Sequence, residues 1–154
     1  MKPIIACVVF LALVAVVAAS GAQFRPGAWY LALAKPSWTP PGWLFAPVWT
    51  TLYLMIAVAG WLVWQSSGSV MDRRNALIAW GVQLVLNGAW SYLMFGQHQI
   101  ALALVDIVLM WVTIAAFVAL AWRPSRLAAL LFTPYLAWVS LATALNATIW
   151  RLNP

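Results

Sequence analysis

"KPSWTPPGWLFAPVWTTLYLMIAVAGWLVWQ", residues 35–65, changes character part-way along its length. Its first fifteen residues, Lys35 to Trp49, hold four prolines and three tryptophans, whereas Trp43 to Gln65 carries no charged side chain. A bilayer core is crossed by about 20 mostly apolar residues in a helix. The stretch therefore reads as a stiff aromatic connection that feeds straight into a membrane span.

Working outward, the rest of the chain has the same composition. Of its 154 residues, 66% are hydrophobic and 6% charged, and the mean hydropathy is +0.95, far from the usual ranges of soluble domains. Lipid offers no partner to backbone N–H and C=O groups, and the ten-residue alternation of a membrane barrel is absent, so each span is expected to be helical. The expected fold is an all-α integral membrane protein, a bundle of five transmembrane helices over about 3–23, 43–65, 76–95, 100–122 and 127–150, forming one domain over 1–154. Residues 24–42 form the longest connection, and Asp72, Arg73 and Arg74 mark a polar break between the second and third spans. The first segment, with Lys2, an apolar core and the small run Ala18 to Ala22, also suits a cleavable leader; we expect it to be a retained span.

The formal charge of +6 comes from basic residues scattered singly or in pairs at the edges of apolar segments. They read as interfacial anchors and not as a nucleic-acid surface. Five spans place Lys2, Arg73, Arg74, Arg123 and Arg126 at one end against Arg25, Lys35 and Arg151 at the other, which favours a cytoplasmic N-terminus in a multi-pass, bacterial cell-membrane protein. The lone Cys7 has no partner for an internal disulfide.

Ionisable groups inside a bilayer are expensive and are read as functional by default. Asp106 is the only acid within an expected span, while Lys2, Lys35 and His98 lie outside. Ion-coupled transport, a retinal-type Schiff base and a metal or haem site with His or Cys ligands all lose support. Asp106 is expected to be protonated or hydrogen-bonded to a neighbouring helix.

What the spans do hold is aromatic and amide side chains at helical spacing. Trp49 and Tyr53 are four apart; Gln83, Asn87 and Trp90 fall at i, i+4 and i+7; Tyr135, Trp138, Ala142 and Asn146 follow one stripe. Such faces converge inside a bundle and line an apolar pocket with a few polar points, suited to a flat hydrophobic ligand. The competing reading is structural: Gln and Asn fasten helices together, and Trp38, Trp61, Trp64, Trp111, Trp122 and Trp150 serve as interfacial anchors or packing. Pro36, Pro40 and Pro41 stiffen the connection as a lid over the bundle's end. Pro47, about one turn into the second span, is expected to kink its entrance.

Three separated motifs in order carry a resemblance to a known family: "WYLALAKPSWTPPGWLFAPVWTTLY" from Trp29 to Tyr53, "QLVLNGAWSYLMF" from Gln83 to Phe95, and "PYLAWVSLATALNATIW" from Pro134 to Trp150. The chain resembles the TspO/MBR family, which comprises the tryptophan-rich sensory proteins of bacteria and the mitochondrial translocator protein, or peripheral benzodiazepine receptor. The resemblance implies a five-helix bundle, often a homodimer, that binds porphyrins such as protoporphyrin IX, sterols, and synthetic isoquinoline carboxamide and benzodiazepine ligands, with no cofactor required. It places the pocket under the first loop, with Tyr30 and Pro41 on the loop side, Trp49 and Tyr53 on the second span, Gln83, Asn87 and Trp90 on the third, and Trp138, Ala142 and Leu145 on the fifth.

Some bacterial members break down protoporphyrin in light, and the positions implicated match Trp49 and Trp138. The family's sterol segment usually holds a tyrosine where this chain reads "LNATIWR" from Leu145 to Arg151, so the resemblance reaches sterols less firmly than porphyrins. The favoured reading is a receptor or sensor-like porphyrin binder. A light- and oxygen-dependent porphyrin-degrading enzyme and a porphyrin or sterol transporter are the alternatives, and dimerisation draws only on small-residue spacing such as Ala115 and Ala119.

Overall fold

The computed structural model describes residues 2–154. Six α-helices run in chain order: α1 Pro3–Gln23, the short α2 Ala28–Ala32, α3 Phe45–Gln65, α4 Val70–Ser91, α5 Ile100–Ala121 and α6 Arg126–Leu152. Five of them, α1 and α3 to α6, are long and apolar enough to cross a membrane, and no strand occurs among the described residues. The protein is a five-span, multi-pass membrane bundle.

The helix ends explain where the observed spans depart from expectation. The third span begins at Val70 rather than near residue 76, so Asp72, Arg73 and Arg74 lie inside its first turns and do not form a loop. The Ser69 hydroxyl accepts from the Asp72 N–H at 3.0 Å, and the Asp72 carboxylate sits at the positive end of the helix dipole. At the other end a π-helical turn, Tyr92–Gly96, prolongs the span. The reversal is completed by His98, whose φ of 56° lies in the left-handed region.

Prolines are absorbed at both ends of the bundle. A 3-10 turn, Gly42–Leu44, leads into α3, which places Pro47 in the first turn of the α-helix. There a missing N–H breaks no necessary intrahelical bond, so the kink expected from the sequence has no local cause. Pro134 lies inside α6 and leaves the Leu130 carbonyl without its backbone donor. The Thr133 hydroxyl donates to that carbonyl at 2.8 Å instead.

Going round the bundle, the neighbouring order is α1, α3, α6, α5, α4 and back to α1. Phe117 of α5 and Phe132 of α6 have ring centroids 3.9 Å apart, and Phe10 of α1 meets the Trp80 ring of α4 edge-on at 4.9 Å. These contacts hold the end where the N-terminus lies. The loop before α3, the turn before α5 and the C-terminus gather at the opposite end, where the candidate site is built.

Candidate functional site

The connection over 24–42 is an ordered cap. Lys35 is its organiser: its ammonium donates to the carbonyls of Tyr30 at 2.6 Å, Leu31 at 3.1 Å and Leu33 at 2.8 Å. These carbonyls lie at and just after the C-terminal end of α2, where a cation is favourable, and that of Tyr30 also accepts from the Leu33 N–H at 3.4 Å. The same ammonium lies 4.9 Å from the Tyr30 ring centroid. Burial raises the pKa of the Tyr30 hydroxyl above its ordinary 10.0.

Two ties fasten the cap to the bundle. Trp29 stacks on His98 of the α4–α5 turn, with centroids 4.1 Å apart and planes 13° from parallel. Ala34 is held by two hydrogen bonds to Asn153 just beyond α6.

Beneath the cap lies a cavity of about 40 Å³ between α4, α6 and the start of α3. Of the residues singled out in the sequence, Tyr30, Trp90, Trp138, Ala142 and Leu145 line it. Pro40 lines it where the sequence reading named Pro41, and Phe45, Phe95 and Asn146 complete the aromatic and polar wall. Asn146 belonged to the α6 stripe without being named as a site residue. It accepts from the Trp90 indole N–H at 3.0 Å and donates to the Ile100 carbonyl at 3.1 Å.

The remaining candidates stand outside the cavity lining. Tyr53 donates to Asn87 Oδ1 at 3.0 Å, Asn87 donates to the Tyr135 hydroxyl at 2.9 Å, and Tyr135 donates to Gln83 Oε1 at 3.0 Å. Gln83 in turn donates to the Trp80 carbonyl at 2.9 Å. This chain sews α3, α4 and α6 together, at about 0.6 kcal/mol per bond within a membrane. Trp49 leans on it, 5.2 Å from the Tyr53 ring and 6.1 Å from the Tyr135 ring. The i, i+4, i+7 face of α4 thus divides, with Trp90 at the cavity and Asn87 and Gln83 in the fastening.

Three buried polar atoms of the described spans have no hydrogen-bond partner: Arg73 Nε in the first turn of α4, Asp106 Oδ2 and the Trp138 indole nitrogen. Asp106 is 6% exposed, and the bond to a neighbouring helix that the sequence suggested is missing at Oδ2. Trp138 faces the cavity, and its ring meets Phe45 edge-on at 5.5 Å. Among the described residues no three His, Cys, Asp or Glu side chains gather into a metal site.

A capped aromatic cavity at one end of a five-span bundle defines a polytopic membrane protein with an internal space suited to apolar molecules. The chain belongs to the TspO/MBR family, whose pattern matches residues 4–151. It is 40% identical over 156 residues to the tryptophan-rich protein TspO of Chlorobaculum tepidum, covering 99% of each chain. It is 42% identical over 139 residues to protein CrtK of Rhodobacter capsulatus, covering 88% of this chain and 85% of that one. Similarity to the translocator protein of Homo sapiens is 42% identity over 128 residues, or 81% of this chain and 75% of the human one.

Proposed function

We propose that the protein is a receptor or sensor-like membrane binder of porphyrins of the protoporphyrin IX type and related flat hydrophobic molecules, held in the cavity beneath the cap. The observation that carries this reading is the cavity wall. Tyr30, Phe45, Trp90 and Trp138 give stacking surface, Asn146 gives a polar point, and the buried Trp138 N–H has no acceptor of its own. An unpaired buried donor costs about 1–3 kcal/mol, and an acceptor on a ligand would recover that loss. Affinity comes mainly from apolar burial and stacking, with no cofactor required.

At about 40 Å³ the cavity is far below the roughly 300–1,000 Å³ of sites for drug-sized ligands. Binding of a tetrapyrrole on this reading therefore opens the cap or the helices beside it. The same reading includes a homodimer through small residues such as Ala115 and Ala119 on α5, and it leaves sterols as weaker ligands than porphyrins.

A second reading, a porphyrin-degrading activity driven by light and oxygen, draws on Trp138 at the cavity and Trp49 packed between two tyrosines. Indoles beside an excited porphyrin can pass it an electron. Titration with protoporphyrin IX in the dark, followed by tryptophan quenching and then illumination, tests both readings. Saturable quenching with no protein-dependent bleaching supports the receptor. Conversion to a new pigment that Trp138→Phe abolishes while sparing binding supports the enzyme, and no saturable quenching overturns both.

A further inference from the structure

The cavity shares a wall with the outside of the bundle. An open groove of about 760 Å³ runs between α3 and α6, from Trp43 and Leu44 at the capped end to Met55 and Pro134. Apart from Thr51 its lining residues are apolar, and the Thr51 hydroxyl is engaged by the Pro47 carbonyl at 3.0 Å. Both helices are membrane spans, so the groove faces lipid. Trp138 and Leu141 line the groove and the inner cavity alike.

The Trp138 indole makes no hydrogen bond that would hold its ring in place. The indoles of Trp61, Trp80, Trp90 and Trp111 each donate a hydrogen bond, whereas the Trp138 nitrogen has no partner. Swinging its ring therefore breaks no hydrogen bond. Pro134, one turn earlier in α6, cannot make the helix's backbone bond to the Leu130 carbonyl, where the Thr133 hydroxyl donates instead. The cap offers no comparable freedom, because Trp29 is stacked on His98 and Ala34 is bonded to Asn153.

We propose that Trp138 is a lateral gate, through which flat apolar molecules dissolved in the bilayer pass from the α3–α6 groove into the cavity under the cap. With the gate turned aside, the cavity and groove join into a space of ordinary ligand-site size. The gate rests on the cavity being the binding site, and not on a porphyrin being its ligand.

The test uses a single thiol in the cavity, Ala142→Cys in a Cys7→Ser background, in lipid nanodiscs. The probes are a bilayer-dissolved N-alkyl maleimide and a charged, sulfonated maleimide. The alkyl reagent is expected to label the thiol, and Ala137→Phe or Thr51→Phe, which fill the groove from opposite walls, to slow labelling about tenfold or more. Asn153→Ala, which removes one of the two ties of the cap, is expected to leave that rate within about twofold. Either filler that melts like the parent suffices if the other misfolds. Labelling that ignores both fillers, that accelerates in Asn153→Ala, or that fails with the alkyl reagent overturns the gate. Because this readout uses no porphyrin, failure of porphyrin binding would remove the function proposed above without deciding the gate.

Discussion

The carboxamide of Asn153 pairs with both main-chain polar groups of Ala34, accepting from its N–H and donating to its C=O at 3.0 Å each. Residues 119 apart in sequence are thereby joined as neighbouring strands would be, and the cap is tied to the end of the last span. Asn153→Ala removes both bonds, each worth about 1 kcal/mol, at an exposed site far from the core. Amide exchange at Ala34 and through α2 should rise about tenfold or more, with little change in the thermal midpoint. Unchanged exchange at Ala34 would show that the tie does not hold the cap.

Tyr135 is the hub of the interior polar chain. Tyr135→Phe leaves the Asn87 amide nitrogen and Gln83 Oε1 without their shared partner inside the bundle. Buried unpaired groups cost about 1–3 kcal/mol, so the variant should unfold at lower temperature or denaturant in detergent. Tyr53→Phe removes one bond at the edge of the network and should cost about 0.6 kcal/mol. The reverse order would contradict the placement of the hub.

Gly60 of α3 lies against the side chains of Phe10 from α1 and Trp80 from α4. A Cβ there would stand 2.7 Å from Phe10 Cδ1 and from atoms of the Trp80 ring, whereas one at Gly81 would meet nothing within 4 Å. Gly60→Ala must push apart the edge-on pair of Phe10 and Trp80 and should destabilise by about 1–3 kcal/mol. Gly81→Ala should be neutral or stabilising by up to about 1 kcal/mol. Thermal melts of the two variants side by side check the difference.

Alkaline pH reports on the cap. Burial favours the neutral form of Tyr30, raising its pKa above 10.0. The folded cap therefore holds this proton more tightly than the unfolded chain, so the contribution is fully present below pH 10 and is lost as pH rises through the folded-state pKa. The tyrosinate absorbance difference between the parent and Tyr30→Phe should titrate with a midpoint above 10.0. A midpoint at or below the ordinary value would place the hydroxyl in open water.

The five spans were legible because lipid leaves the backbone one solution, and 20-residue apolar runs mark where it applies. The start of α4 was not, since Asp72, Arg73 and Arg74 outweighed the Ser69 cap in a reading by hydropathy. Nor was α2, whose end is fixed by the folded-back Lys35 ammonium in a segment too short to show periodicity. The aromatic and amide stripes predicted inward faces, and α6 delivered Trp138, Ala142 and Leu145 to the cavity. Whether an inward amide fastens helices or lines a space depends on how the facing helices are rotated. Periodicity within one helix is silent on that, and so Gln83 and Asn87 went to the fastening while Asn146 went to the wall.

Filling the cavity tests the central claim most directly. Ala142→Trp occupies the space beneath the cap, while Val85→Trp adds the same side chain on the outer face of α4, where Val85 is 71% exposed. Dissociation constants for protoporphyrin IX, measured in the dark, should rise about tenfold or more for Ala142→Trp, or about 1.4 kcal/mol, and stay at the parent value for Val85→Trp. Equal affinity in the parent and Ala142→Trp would place the ligand elsewhere and contradict the account.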